Sequence, residues 1–414
     1  MAATAAIAQT SAARFSGSVV ALLAVAIFIN YVDRGNLATA APLIKGELKL
    51  TNTQVGLLLS AFFWIYVPGQ LVAAWLVARI NAYRTLAVGL AVWSLATVAT
   101  GFATGFAGLL ALRLLLGLGE SAGFPASSKL LAQQLPPHLL GFSNAMICAG
   151  LMLGPAAGTL FGGLLIAHAG WRVLFVAFGA ASLLWLIPWL ISTRRLSADA
   201  GALASAEPSF GKLLARRELW GAAVGHFTAN YPFYLVLSWL PLYLVKTYGY
   251  SLSQMAELGG VVYVASAVFA LTAGYVADRL MARGYSSTVV RKTIVCLGSI
   301  VTMICMLACA FGGAKLALAG LLLSSLGNGL TTFNLYAIAQ TLAGPKAAGK
   351  WMGLQNGLGN ISGIVGPIFT GWVVDVTGKF SWAFFAAAVV AAIGLVCWLV
   401  VIPKIELIDW DKAA

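Results

Sequence analysis

Charge is the scarcest commodity in this chain: of 414 residues only 9% are Asp, Glu, Lys or Arg, against 61% hydrophobic. Soluble domains carry about 25% charged residues, so this sequence cannot build a water-facing surface over its length, and the solvent it implies is lipid. Histidine is nearly missing, and His138, His168 and His226 stand apart from one another. The five cysteines, Cys148, Cys296, Cys305, Cys309 and Cys397, lie inside apolar runs with no C-x-x-C pair, and read as packing residues. These shortages leave no metal-ligand spacing and no nucleophile motif. The Gly-rich runs fall inside apolar stretches, where they read as helix packing, not as phosphate loops. A membrane enzyme is therefore disfavoured, and no stretch remains for a soluble sensor output. The first apolar run contains Asp33 and Arg34 and is followed by no convincing cleavage site, so the first helix is expected to be retained.

What is abundant is apolar length. A bilayer core about 30 Å thick needs roughly 20 apolar residues per helix. That ruler finds twelve spans near residues 18–43, 54–78, 84–104, 107–132, 140–167, 171–193, 219–245, 254–278, 292–312, 316–342, 350–374 and 380–402. The expected fold is an all-α integral membrane protein of two pseudo-symmetric six-helix bundles. Residues 1–193 form the first, 194–218 a polar cytoplasmic linker with Asp199, Glu207, Arg216 and Arg217, and 219–414 the second.

The net charge of +13 is scattered over short connectors, so it reads as topology and not as a nucleic-acid surface. With both termini inside, seventeen of the 25 Lys and Arg, from Arg14 to Lys412, fall on the cytoplasmic side. Lys45, Lys49, Arg172, Lys246, Lys315 and Lys379 fall outside, and Arg34 and Arg113 lie within spans. The positive-inside rule then favours cytoplasmic termini in a cell inner (plasma) membrane.

The halves also resemble each other. Gly154-Pro155 leading to Gly170-Trp171 in span 5 matches Gly366-Pro367 leading to Gly378 in span 11. Trp75-Leu-Val-Ala-Arg79 matches Tyr275-Val-Ala-Asp278-Arg279 at the ends of spans 2 and 8. Six-helix repeats of this kind suit a secondary transporter with its site between the halves.

Four charges lie deep in spans: Asp33 and Arg34 in span 1, Arg113 and Glu120 in span 4. Each costs a few kcal/mol or more against lipid, so each is expected to face a cavity or a partner. Arg113 and Glu120, seven residues apart, sit within about 20° of one helix face and roughly 10 Å apart along the axis. Gly117, Gly119 and Gly123 around Glu120 permit close approach of a neighbouring helix or ligand. In Asn30-Tyr31-Val32-Asp33-Arg34, Asn30 and Tyr31 share the face of Arg34, while Asp33 points about 100° away. Mutual neutralisation would be a structural use of these four charges, although buried ion pairs stabilise poorly compared with apolar packing.

The functional use divides the labour. Arginine keeps its charge and presents a planar fork to a carboxylate or phosphate, which makes Arg34, then Arg113, the anion-binding candidates. A carboxylate out of water can exchange a proton near neutral pH unless an arginine holds it ionised, which makes Asp33 and Glu120 the proton carriers. Tyr66, Asn230, Tyr234, Asn334, Tyr336, Asn356 and Asn360 are polar side chains in spans 2, 7, 10 and 11 that either complete the site or bond neighbouring helices.

Three stretches look familiar: N-Y-V-D-R-G-N-L with A-A-P over 30–42, R-L-L-L-G-L-G-E-S-A-G-F-P over 113–125, and G-L-G-N-I-S-G-I-V-G-P over 357–367. The chain resembles the major facilitator superfamily, and within it the anion:cation symporter family. The resemblance implies proton-driven uptake of organic anions, such as aldonates or hexuronates, by alternating access, with protons as the only coupling species and no other cofactor. It places the family's proton carriers on Asp33 and Glu120, its carboxylate-binding arginine on Arg34, its span 4 arginine on Arg113, and binding residues on Tyr66 and Asn356. It also implies cytoplasmic gating residues at Arg79, Arg84, Asp278 and Arg279; separately, the chain is expected to be a monomer. The gating motif after span 2 is eroded: Ala78 replaces the expected acid and Asn81 a glycine, so the gate is expected to rest on the copy at Asp278. Span 5 offers Leu151 and Met152 where a polyhydroxylated substrate would want hydrogen bonds. An anion exchanger or exporter of phosphate esters or drugs remains the alternative.

Overall fold

The computed structural model describes residues 17–50, 52–199, 207–249 and 252–410. Arg14, Lys412 and linker residues 200–206 lie outside them.

Apolar sequence makes the helices, and capping residues end them. In order these are α1 (Ser18–Glu47), α2 (Asn52–Arg79), α3 (Ala82–Thr100), α4 (Phe106–Gln134), α5 (Pro137–Ile166), α6 (His168–Arg194), α7 (Arg217–Tyr248), α8 (Leu252–Ala282) and α9 (Ser287–Phe311). Then follow α10 (313–343), α11 (345–377) and α12 (Ser381–Val401). Ten continuous stretches among the described residues are apolar and long enough to cross a bilayer. One of them, Gly313–Val374, is 62 residues long and holds both α10 and α11. The turn between these two is made at Gly344, whose φ of +62° suits a residue without Cβ, and Pro345 starts the next helix. Helix α7 completes the twelve. Val88, Phe102, Leu160, Ile191, Phe311 and Ile368 are exposed, an apolar exterior suited to lipid.

Asn81 has a local use: its side chain accepts the backbone N–H of Tyr83 at 2.8 Å and caps α3, where a glycine would leave that donor open. Ser286 caps α9 in the same way.

The repeat seen in the sequence reappears in packing. Gly150, Gly154 and Gly158 bring α5 onto the backbone of α1 at Ala24, Phe28 and Val32. Gly359, Gly363 and Gly366 bring α11 onto His226, Tyr234 and Tyr231 of α7. The early and late helices meet at the linker end. There Gly349, Gly353 and Gly357 of α11 lie on Val77, Ala74 and Gln70 of α2, and Gly274 of α8 lies on Gly141 of α5. A reciprocal amide pair, Asn144 with Gln340 at 2.7 and 3.1 Å, closes the same seam. The linker side is therefore shut.

Candidate functional site

Glycine spacing positions the acid. A Cβ on Gly117 would fall 2.5 Å from the Phe62 carbonyl oxygen of α2, and one on Gly119 would fall 2.7 Å from the Trp93 nitrogen of α3. Gly123 faces Ile27 of α1. Three helices thus close around Glu120, whose side chain is fully buried. Across from it, the Arg34 Nε donates to Glu120 Oε2 at 2.7 Å. The guanidinium carbon of Arg34 lies 4.3 Å from the ring centre of Tyr31, 4.6 Å from Phe62 and 4.4 Å from Tyr66. A desolvated cation over an aromatic face gains about 2 kcal/mol, so this three-ring cradle fixes a planar cation in place.

The pair leaves hydrogen-bonding capacity over. Arg34 Nη2, Glu120 Oε1 and Arg113 Nε are all buried without a protein partner. Arg113 stands 5.6 Å from the centre of Phe62, the ring it shares with Arg34. Buried polar groups are nearly always satisfied, so the unspent donors on two arginines make this the candidate anion site. Asp33 faces elsewhere, as its 100° offset implies: Asn36 donates to its Oδ1 at 3.2 Å and Ser182 of α6 to its Oδ2 at 3.5 Å. Asn30, one helical turn before Arg34 on α1, is buried with neither amide atom partnered.

From the aromatic cradle a chain of hydrogen bonds crosses to the later helices. Asn356 Nδ2 donates to Tyr66 OH at 3.4 Å, Asn360 Nδ2 to Asn356 Oδ1 at 3.0 Å, and Tyr234 OH to Asn360 Oδ1 at 2.6 Å. Tyr31, Leu151, Met152, Asn230, Tyr234, Tyr336 and Asn360 share a narrow cavity between the halves, with room for little more than one water molecule. Tyr336 also stacks on Phe124 of α4 with centroids 4.8 Å apart.

Asn334 does not belong to this group. Its amide donates to the Arg291 carbonyl of α9 at 2.6 Å, so it ties α10 to α9. The α10 side chains that line the cavity are Asn328, Thr332 and Tyr336. Thr332 Oγ1 donates to Asn328 Oδ1 at 2.9 Å, and Asn328 Nδ2 meets the sulfur of Met152 at 3.4 Å. Helical spacing carries the distinction: residues 328, 332 and 336 repeat every four, whereas 334 lies about 200° round from 332.

The gating candidates divide. Asp278, at the end of α8, accepts the backbone N–H groups of Gly141 and Phe142 at the start of α5, at 3.0 and 2.7 Å. Its neighbour Arg279 lies over Tyr275 of its own helix, and Arg79 over Trp75 of its own helix. Arg84 lines a groove among α2, α3 and α4. Arg84 and Arg279 therefore stay within their own halves, Arg79 stacks on its own helix at the edge of a cavity shared with α11, and the crossing contact belongs to the acid.

The Major Facilitator Superfamily model matches residues 23–290 and 258–409. The chain belongs to the major facilitator superfamily. Within that superfamily, the chain is similar to a probable sulfoacetate transporter, SauU, of Cupriavidus necator, with 28% identity over 94% of each chain. It is likewise similar to the probable galactarate/D-glucarate transporter GudP of Escherichia coli K12, with 28% identity over 96% of this chain and 95% of that one. A D-galactonate transporter of E. coli O6:H1 is 26% identical over 93% and 95%. Among solved structures, the superfamily fold is shared with the proton:xylose symporter XylE, at TM-score 0.75 and 14% identity over 96% of this chain and 97% of that one. The human organic anion transporter MFSD10 gives TM-score 0.73 at 17% identity, covering 92% and 99%. This major facilitator chain is a multi-pass membrane transporter, not an enzyme, and its relatives carry small organic anions.

Proposed function

We propose that this chain is a proton-coupled symporter of an organic acid anion, working by alternating access, with N- and C-termini in the cytoplasm and the linker side facing inward. The observation that carries the reading is the Arg34–Glu120 pair. One edge of the guanidinium is engaged by an internal carboxylate at 2.7 Å, and another buried N–H, on Nη2, has no protein partner.

A substrate carboxylate docks on that donor with Arg113 beside it, and competes with Glu120 for the same cation. A proton on Glu120 ends the competition, so anion and proton enter together. Asp33, on the far face of α1 among Asn36 and Ser182, is the second proton carrier, acting through the position of α1. Tyr66, Asn356, Asn360 and Tyr234 transmit occupancy to the later helices. A carboxylate matches the donors on Arg34 and Arg113, and once the one-water cavity beside them widens, Asn328, Thr332 and Asn230 supply groups for the far end of a short or sugar acid.

Thermal stability of purified protein tests the anion. Carboxylates are expected to raise the unfolding temperature of wild type and not of Arg34→Ala, since a ligand of the folded state stabilises it. Stabilisation by phosphate esters and by no carboxylate would favour the exchanger reading instead.

A further inference from the structure

The two gating positions at the linker face are related by the internal repeat, yet only one carries an acid. Asp278-Arg279 ends α8, and its carboxylate caps the start of α5 across the seam. Ala78-Arg79 ends α2, where the equivalent seam faces the start of α11: Gly349 packs on Val77 there, with no carboxylate on α2 to meet it.

A carboxylate arrives from the linker instead. Glu207 bonds the Lys129 ammonium of α4, and its second oxygen lies 3.5 Å from the Lys350 ammonium of α11. Lys129 also donates to the Val77 carbonyl of α2 at 3.2 Å, and Lys350 to the Pro208 carbonyl at 3.0 Å, with Phe210 beneath it. All three charged side chains are largely buried, and they share one cavity with Ala78 and Arg79. One lysine belongs to the early half and the other to the late half, so a single linker acid joins two bodies that must separate when the linker side opens.

We propose that Glu207 replaces the acid missing at position 78, so that the linker is itself the first-half latch of the closed gate. Asp278 and Glu207 then form a matched pair, one on each seam. The arrangement makes gate opening sensitive to anything that displaces residues 207–214 from α4 and α11.

The test uses the full chain with its five native cysteines replaced and Val77→Cys as reporter, since Val77 is buried in the seam. Its rate of maleimide alkylation reads opening with no substrate present, so a negative result leaves the anion site untouched. Glu207→Gln is expected to raise the rate about tenfold, the shift expected from losing one charge-assisted contact. Adding Ala78→Asp, which returns a carboxylate to α2, is expected to bring the rate back towards that of the parent. An unchanged rate in Glu207→Gln, or no reversal by Ala78→Asp, overturns the proposal. If Glu207→Gln is poorly folded, the charge-inverted triad Glu207→Lys with Lys129→Glu and Lys350→Glu decides: the parent rate supports the latch, and a raised rate refutes it.

Discussion

Replacing Glu120 with glutamine separates anion binding from proton coupling. In the native site the Glu120 carboxylate and the substrate compete for Arg34. Thermodynamic linkage then requires affinity to fall by up to tenfold, or about 1.36 kcal/mol, for each pH unit above the pH at which Glu120 loses its proton. Glutamine keeps the shape, and its carbonyl still accepts from Arg34 Nε, but the contact drops from an ion pair near the top of the range of about 1.5–3 kcal/mol for bonds to charged groups to a bond charged on the arginine side alone, near the bottom of that range. The cation is thereby freed for substrate by about 1.5 kcal/mol, roughly tenfold in affinity at high pH. Because the glutamine amide cannot lose a proton, the pH slope flattens. Calorimetric titration of a stabilising carboxylate between pH 6 and 8 measures the slope, and counterflow in proteoliposomes measures exchange. Glu120→Gln is expected to bind with little pH dependence, to exchange substrate, and to fail at accumulation. A variant that keeps the wild-type pH slope would refute the competition argument.

Other expectations follow from single contacts. Arg34→Lys keeps the charge but loses the planar fork seated among three rings, so the KM for uptake is expected to rise at least tenfold, about 1.4 kcal/mol; an unchanged KM would exclude docking on the guanidinium Nη2. Gly117→Ala places a methyl group 2.5 Å from the Phe62 carbonyl and forces α4 away from α2, which should lower the unfolding temperature and abolish the Arg34–Glu120 contact; a native melting curve would count against this packing. At the other membrane face, hydrogen bonds from Trp171 and then Arg172 hold the Glu47 carboxyl below its ordinary value of 4.5. Its contribution to stability is present above that pH and is lost as pH falls through the lowered value. Glu47→Gln should thus lose the acid end of the wild-type stability profile, as read by melting between pH 3 and 6, and leave the profile above pH 6 parallel.

The span count was legible because twelve apolar runs each exceed a bilayer. The candidate site was legible in outline because four charges in so much apolar sequence have few places to go. Helical angle placed Asp33 away from Arg34, and the same rule would have chosen Asn328 and Thr332 over Asn334 had α10 been read as one face. The linker acid was not legible. Glu207 lies in a polar stretch far in sequence from Lys129 and Lys350, and only the folded chain brings the three together. Nor does sequence show that Asn81 offsets its lost glycine by capping α3.

Proton movement during uptake tests the central claim most directly. In proteoliposomes holding a pH-sensitive dye, an organic anion that stabilises the protein should acidify the lumen as it enters, and an inward proton gradient should drive it above its external concentration. Entry without acidification, and indifferent to the gradient, would contradict the account.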